Sequence, residues 1–291
     1  MNWLIEYKKS LKNIHAEEPL DVYLYRPMAF IIVKALYSTS LTPNQYSLLA
    51  LLSGIAAGGC FLQGTYLGLQ WGGFFFLLFA ILDCCDGMVA RLKKNGTEFG
   101  RLIDGIVDYT VNMIVYITLA LGMKSSLGIE APIQVWVLVV LAGFSKAVHS
   151  ISYDHYLSEY LAYEKGDSGF VLQEIKILKE KILNAQKMDA PIMRRIALRL
   201  YLGYSVLQAG SAKRKLIYDS KLYCEKNLLA LRLWSLIGPT THMTVLILSF
   251  LFGRPDVLFF YAIVFGNIWL LLMFGYQLKM NDQLGRKGTL R

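Results

Sequence analysis

Residues 67–90 read LGLQWGGFFFLLFAILDCCDGMVA, a long apolar run that ends in a pair of acids. This stretch decides the fold, because a helix needs roughly 20 largely apolar residues to cross a bilayer. Stretches of similar character occur at five more places: 43–63, 101–123, 131–153, 234–252 and 256–278. The sequence therefore predicts an all-α integral membrane protein with six transmembrane helices.

The composition of the 291-residue chain agrees with a multi-pass membrane protein. Hydrophobic residues make up 55% of the chain and charged residues 18%, with a mean hydropathy of +0.42. Ordinary soluble domains are less apolar. The net charge of +9 would suggest a nucleic-acid partner in a soluble chain, but in a membrane protein it marks the cytoplasmic loops. We therefore expect membrane lipids, and no nucleic acid, as partners.

The basic residues are distributed unevenly between the two sides of the predicted membrane. They concentrate before the first span, at 91–101 between the second and third spans, and in the tail after 278. The opposite loops hold little more than Lys124 and Arg254. The positive-inside rule then predicts that both termini face the cytoplasm, across the inner membrane if the source is bacterial.

Residues 1–42 are expected to form a cytoplasmic arm with an interfacial amphipathic helix. In that helix the basic residues Arg26 and Lys34 alternate with apolar positions: Tyr25, Phe30, Ile31, Val33 and Leu36. Thr42, before Pro43, is the predicted N-cap of the first span.

Residues 156–230 are too polar for the membrane and are expected to form a cytoplasmic helical insert between the fourth and fifth spans. Apolar positions recur there at helical spacing: Val171, Leu172, Ile175, Leu178, Ile182 and Leu183. Gly166 and Gly169 are expected to interrupt the helix upstream, and 189–191 to start a second one. The remaining domains are the membrane core at 43–155 and the last two spans with a basic tail at 231–291.

Four aspartates lie at the cytoplasmic ends of the second and third spans. The pair Asp83 and Asp86 and the pair Asp104 and Asp108 have the three- and four-residue spacings that place each pair on one helix face. A turn dipeptide at 95–96 favours antiparallel neighbours. We therefore expect the two acidic faces to meet.

Converging carboxylates in a low-dielectric region repel one another and lose hydration, which a bound divalent cation would offset. Ligands that are all oxygen favour Mg²⁺ or Mn²⁺, and two such ions would suit attack at phosphorus. Nearby small residues, with Arg91, indicate close approach by a bulky anion: Gly87, Ala90 and Gly100. Each residue also has a simpler reading, because intramembrane acids can line ion paths and glycines can permit tight helix packing.

The full pattern Asp83-x2-Asp86-Gly87-x2-Ala90-Arg91-x8-Gly100-x3-Asp104-x3-Asp108 resembles the signature of the CDP-alcohol phosphotransferase family. Members of this family, also called CDP-alcohol phosphatidyltransferases, are integral membrane enzymes of phospholipid synthesis. The resemblance covers roughly 20–155.

The resemblance implies a homodimer with a cytoplasm-facing cavity for two divalent ions and a CDP-linked donor. Asp83, Asp86 and Asp104 would be metal ligands, and Asp108 would be both a ligand and the general base. A further set would bind CDP: Asn44, Gly87, Ala90, Arg91 and Gly100. An acceptor hydroxyl would attack the donor's β-phosphorus and CMP would leave, with either the donor or the acceptor a lipid.

The fourth span ends in Ser152-Tyr153-Asp154-His155, where many relatives with phosphorylated acceptors resemble the pattern S-Y-x-R-A. The missing arginine favours an acceptor without a phosphate, because Lys or His is a poorer phosphate clamp. The candidate acceptor pocket comprises Lys146, His149 and His155. A phosphatidylinositol-phosphate-type synthase with a phosphorylated acceptor stays open, as does the direction of donor use.

Two other classes of protein also fit parts of the pattern. A cation-coupled transporter would use the acids as an ion path, although this explains poorly why all four cluster at one membrane face. A nonenzymatic membrane scaffold would instead depend on the helical insert.

Overall fold

The computed structural model describes residues 3–11, 17–126, 132–166, 170–187 and 218–287, with short pieces at 195, 198–199 and 202–203. The described chain is all-α. Its α-helices are α1 Trp3–Ser10, α2 Arg26–Ala35, α3 Pro43–Leu62, α4 Tyr66–Leu92, α5 Glu98–Ser126, α6 Pro132–Lys165, α7 Phe170–Lys187, α8 Ser220–Trp234, α9 Pro239–Leu251, α10 Pro255–Phe259 and α11 Gly266–Lys287. Two π-helical stretches, Asp21–Tyr25 and Phe260–Phe265, precede α2 and α11.

Within the described residues, six helical segments are long and apolar enough to cross a membrane, as the sequence predicts. They are Pro43–Leu62, Tyr66–Leu92, Ile103–Met123, Ile133–Lys165, Ser220–Leu251 and Pro255–Gly285. The fourth extends ten residues into the predicted insert 156–230, and the fifth begins at Ser220 and so includes the last eleven residues of that insert.

Contacts divide the chain into two compact units. Unit 1 comprises Met1–Ser150 and Ile237–Leu270, and unit 2 comprises Ile151–Leu236 and Leu271–Arg291. The core of unit 1 is built from aromatic and aliphatic side chains of the stretch Asp21–Tyr25 and of α2 to α6, α9 and α10, among them Tyr25, Phe61, Phe76 and Phe250. All four aspartates of the motif belong to unit 1.

Two glycines on α3 allow α5 to pack closely against this helix. A methyl group at Gly54 would lie 2.4 Å from the Val111 side chain, and one at Gly58 would lie 2.4 Å from Ile114. Small residues of this kind let membrane helices approach closely. Part of the glycine content therefore serves packing.

The connection between α4 and α5 includes the predicted turn dipeptide at 95–96. The residue with a left-handed backbone in this connection is Lys94, at φ 51°. A left-handed residue just after a helix is a common C-terminal cap. At the other end of the turn, Thr97 Oγ1 accepts a hydrogen bond from the Gly100 backbone N–H at 2.9 Å and so caps α5.

Thr42 is the N-cap of α3, as predicted. The Gln45 side chain returns to this position, where its Oε1 accepts a hydrogen bond from the Thr42 backbone N–H at 2.8 Å.

The described part of the arm contains α1 and α2, and α2 buries Phe30 and Val33 in the core of unit 1, together with Tyr25 just before it. Ile31 is 57% exposed, on the other side of the helix from the buried positions. Of the predicted apolar positions, Tyr25, Phe30 and Val33 are thus buried in the protein, whereas Ile31 and Leu36 are exposed. That α2 lies in the membrane interface stays a prediction.

Unit 2 holds the part of the insert that the structure describes. Gly166 ends α6 with φ +65°, which agrees with the predicted break. On α7 the predicted apolar positions Ile175 and Leu178 are buried, whereas Leu183 is 56% exposed. The predicted helix start at 189–191 and Gly169 lie outside the described residues.

Aromatic stacking and buried amides join the helices of unit 2. The Tyr163 and Tyr223 rings stack with centroids 3.7 Å apart. Gln277 Nε2 donates to Asn227 Oδ1 at 2.8 Å.

Candidate functional site

The structure brings three of the four motif aspartates together at the ends of α4 and α5. Carboxylate oxygens of Asp83, Asp86 and Asp104 all lie within 4.8 Å of one another. Asp108 lies one turn further along α5 and interacts electrostatically with Asp83 and Asp104. The predicted meeting of the two acidic faces is therefore seen in the fold.

Two of these carboxylates have buried oxygens without a partner. Asp83 Oδ1 and Asp104 Oδ1 make no hydrogen bond with any described residue, whereas Asp86 Oδ2 accepts one from Ser47 Oγ at 2.5 Å. A buried carboxylate oxygen without a donor is costly, and a divalent cation compensates for it. The donor set and the orphaned oxygens thus fit a Mg²⁺ or Mn²⁺ site.

Beyond Asp108, Asn112 and Tyr116 follow at four-residue intervals on one face of α5, and both contact Lys146 of α6. Lys146 Nζ donates a hydrogen bond to Asn112 Oδ1, and Asn112 Nδ2 donates to the Asp108 carbonyl oxygen at 2.8 Å. The Lys146 ammonium also lies 5.6 Å from the Tyr116 ring centroid and interacts electrostatically with Asp108. The half-buried Lys146 is therefore held near the predicted general base. Sequence reasoning missed Asn112, although its four-residue spacing from Asp108 was visible.

The predicted CDP-binding residues fall into two contact groups. A methyl group at Gly87 would meet the Arg91 guanidinium nitrogens at 3.2 and 3.3 Å. A methyl group at Gly100 would meet Asn44 Oδ1 at 3.2 Å. The absence of a side chain at Gly87 thus leaves room for Arg91, and its absence at Gly100 leaves room for Asn44. Ala90 lies in α4 between Gly87 and Arg91.

The arm supplies charged and polar partners to Arg91. Arg91 Nε donates a hydrogen bond to the Ser10 carbonyl oxygen, and its guanidinium interacts electrostatically with Arg26 and Glu17. Arg26 Nε lies 2.7 Å from Glu17 Oε2 and 2.8 Å from Asp21 Oδ2. Burial alone would lower the pKa of Arg26, but Asp21 and Glu17 together raise it above its ordinary value.

Of the predicted acceptor-pocket residues, the structure places Lys146 and His149 on α6 within unit 1. His149 is fully buried, and its ring nitrogens lie 3.0 Å from His242 Nε2 and 3.3 Å from Asn267 Oδ1. His155 belongs to unit 2, where its ring meets that of Tyr156 edge-on at 5.0 Å. His242 and Asn267 had not been predicted.

The fold and the site define a helical protein with six candidate membrane spans and, at the ends of two of them, a partly buried cluster of carboxylates that could hold a metal ion. Comparison with known families is more specific: residues 40–158 match the model of the CDP-alcohol phosphatidyltransferase family. This segment therefore resembles the family that the motif predicts, and the match supports classification as a transferase.

Curated relatives share parts of the chain. It is 33% identical over 96 residues to a phosphatidylinositol phosphate synthase from Corynebacterium glutamicum, covering 33% of this chain and 41% of that protein. It is 29% identical over 140 residues to a bifunctional IPC transferase and DIPP synthase from Aquifex aeolicus, covering 48% of this chain and 29% of that protein. The matches thus span less than half the length of these relatives.

Proposed function

We propose that the protein is a metal-dependent CDP-alcohol phosphotransferase. It transfers a substituted phosphate from a CDP-linked donor to an acceptor hydroxyl and releases CMP. The observation that carries this proposal is the cluster of Asp83, Asp86 and Asp104 with two orphaned buried oxygens, inside the segment that matches the family.

In this proposal the four aspartates hold two Mg²⁺ or Mn²⁺ ions, which offset the negative charge of the diphosphate. Asp108 takes the proton of the acceptor hydroxyl as the bond to phosphorus forms, because a hydroxyl is a weak nucleophile until a carboxylate within reach accepts its proton. Arg91 contacts a donor phosphate through its guanidinium fork. Asn44, Gly87, Ala90 and Gly100 surround the nucleotide.

We further propose that the acceptor carries no phosphate. Lys146 supports this, since its ammonium already has Asn112 and Asp108 as partners. The alternative, a phosphorylated acceptor, is favoured by the name of the Corynebacterium glutamicum relative, a phosphatidylinositol phosphate synthase.

The proposal also includes a site that faces the cytoplasm and a homodimer, as expected from the charge asymmetry and from the family. One of the two substrates is a lipid, so the reaction takes place at the membrane surface.

The test is CMP release by detergent-purified protein in Mn²⁺, with CDP-diacylglycerol or CDP-headgroup donors and a panel of free and phosphorylated alcohols. Asp108→Asn is expected to lower the rate by about 10²-fold or more, since general-base contributions reach this size. Asp256→Asn is the matched control, because Asp256 is an exposed acid paired only with Arg254 in the described chain.

Full activity of Asp108→Asn would remove the proposed base. Substrate flux across vesicles with no CMP release from any donor would instead support the transporter. A function lost on deletion of 166–225 but kept in Asp83→Asn would support the scaffold.

A further inference from the structure

Three helices of unit 1 are joined by a buried chain of polar side chains that the proposed mechanism does not use. His149 lies on α6, His242 on α9 and Asn267 on α11. His149 Nδ1 is 3.0 Å from His242 Nε2, and His149 Nε2 is 3.3 Å from Asn267 Oδ1. The chain continues from Asn267 Nδ2 to Ser145 Oγ at 3.0 Å.

The direction of these hydrogen bonds follows from one backbone carbonyl. Asn267 Nδ2 donates to the Ile263 carbonyl oxygen at 2.8 Å, and a carbonyl oxygen only accepts. Asn267 therefore turns Oδ1 toward His149, so His149 Nε2 must carry a proton. A neutral His149 then has its lone pair on Nδ1 and accepts from the Nε2–H of His242.

This assignment leaves His242 with a lone pair on Nδ1. That nitrogen is buried and has no hydrogen-bond partner among the described residues, and the residue is 1% exposed. The alternative, a second proton on His149, would bury a charged imidazole without a counter-ion, which is costly. The series of hydrogen bonds thus ends at His242 Nδ1, an acceptor that has no donor among the described residues.

The surroundings hold both rings in place. A methyl group at Gly266 would lie 2.4 Å from His149 Cε1, so the absence of a side chain there makes room for the ring. The Tyr261 ring meets His242 edge-on at 4.9 Å. Tyr261 lies in the π-helical stretch Phe260–Phe265, and such distortions often occur at functional sites.

His242 shares a polar neighbourhood with the proposed general base. Lys146 interacts electrostatically with both Asp108 and His242. Lys146 and His149 are three residues apart on α6, so they lie on one face of that helix, and His149 in turn contacts His242. The half-buried ammonium of Lys146 disfavours a cationic acceptor beside it.

We propose that His242 Nδ1 accepts a hydrogen bond from a second hydroxyl of the acceptor alcohol, which makes His242 a specificity-determining residue and the acceptor a neutral polyol. This inference rests on the proposed function and deepens it. One hydroxyl of the polyol reacts at Asp108 while another donates to His242.

Two substitutions separate the two ring nitrogens of His242. His242→Gln keeps an N–H donor near the position of Nε2, toward His149, and removes the acceptor at Nδ1. His242→Asn can keep an oxygen acceptor near the position of Nδ1 and loses the donor to His149. The probes are myo-inositol and glycerol as polyols and ethanolamine as a cationic alcohol with a single hydroxyl, with CMP release and unfolding temperature as readouts.

The wild-type protein is expected to use a polyol in preference to ethanolamine. His242→Gln should raise KM for that polyol at least about tenfold, as expected for the loss of one buried hydrogen bond, while KM for the donor stays unchanged. His242→Asn should recover most of the polyol KM despite lower stability. The polyol should also raise the unfolding temperature of the wild type in Mn²⁺ and CMP, but not that of His242→Gln.

An unchanged polyol KM in His242→Gln, a preference for ethanolamine, or a loss of stability alone would overturn the inference and leave the proposed function intact. Absence of CMP release together with a polyol-induced, His242-dependent rise in unfolding temperature would overturn the proposed function and leave the binding site. Absence of both effects in the wild type would overturn both.

Discussion

Gly87 lies where a methyl group would contact both terminal nitrogens of Arg91 at 3.2 and 3.3 Å. Gly87→Ala should therefore displace the guanidinium by a few tenths of an ångström and raise KM for the CDP donor several-fold. Gly105→Ala on α5 is the matched control, because nothing lies within 4 Å of a methyl group there. That control should keep donor KM and gain up to about 1 kcal/mol of stability from helix propensity. Equal donor KM in the two variants would remove Gly87 from the phosphate site.

Residues of the site differ in how far the sequence could predict them. The aspartates of α4 and α5 were predictable, because spacings of three and four residues place side chains on one helix face. His242 and Asn267 were not, since they lie 93 and 118 positions from His149 and only the packing of three helices brings them together. The orphaned Nδ1 of His242 depends in turn on the Ile263 carbonyl, which no sequence pattern reveals.

A carboxyl group of the arm accepts hydrogen bonds from the N-terminal turn of helix α9. Glu18 Oε1 accepts hydrogen bonds from the Thr240 backbone N–H at 2.9 Å and from Thr240 Oγ1 at 2.8 Å. A methyl group at Gly238 would lie 2.4 Å from Glu18 Oε2, so this approach requires glycine there. Burial raises the pKa of Glu18 to about 8, although the hydrogen bonds from Thr240 oppose the shift.

This contact predicts a pH dependence of stability. The ordinary pKa of a glutamate carboxyl is 4.5, so between about pH 4.5 and 8 the folded chain holds one more proton than the unfolded chain. Raising the pH through this window should lower the free energy of unfolding by a few kcal/mol. Glu18→Gln keeps a neutral acceptor and should remove this part of the dependence, measured as unfolding temperature from pH 5 to 8.5 relative to wild type. Parallel curves for the two proteins would contradict the assignment.

The arm and the insert show where element-level prediction was incomplete. On α2, periodicity predicts the apolar positions, but only packing decides that Phe30 and Val33 are buried in the protein while Ile31 is exposed. The six spans could be predicted because each contains a long apolar run. The C-terminal end of α6 and the N-terminal end of α8 lie instead in polar sequence. Hydropathy alone does not mark where such helices stop.

The residues that the structure describes include six candidate spans, and the positive-inside rule predicts their orientation. We expect Asn95→Cys, in the exposed turn after α4, to react with a membrane-impermeant thiol reagent only in inside-out vesicles. Arg254→Cys, in the exposed turn before α10, should react only in right-side-out vesicles. The unsubstituted chain gives the background from its four free cysteines. Labelling of both positions from the same side would contradict the six-span topology.

The most direct test of the account is CMP release across a Mn²⁺ titration, for the wild type, Asp86→Asn and Asp256→Asn, before and after chelation. We predict that the wild type and Asp256→Asn release CMP only with metal and lose activity on chelation, because Asp86 belongs to the acid cluster and Asp256 does not. Asp86→Asn should show at most about one hundredth of the rate at any Mn²⁺ concentration. CMP release by the chelated wild type, or a normal Mn²⁺ response of Asp86→Asn, would contradict the central claim that this cluster holds the metal that the transfer needs.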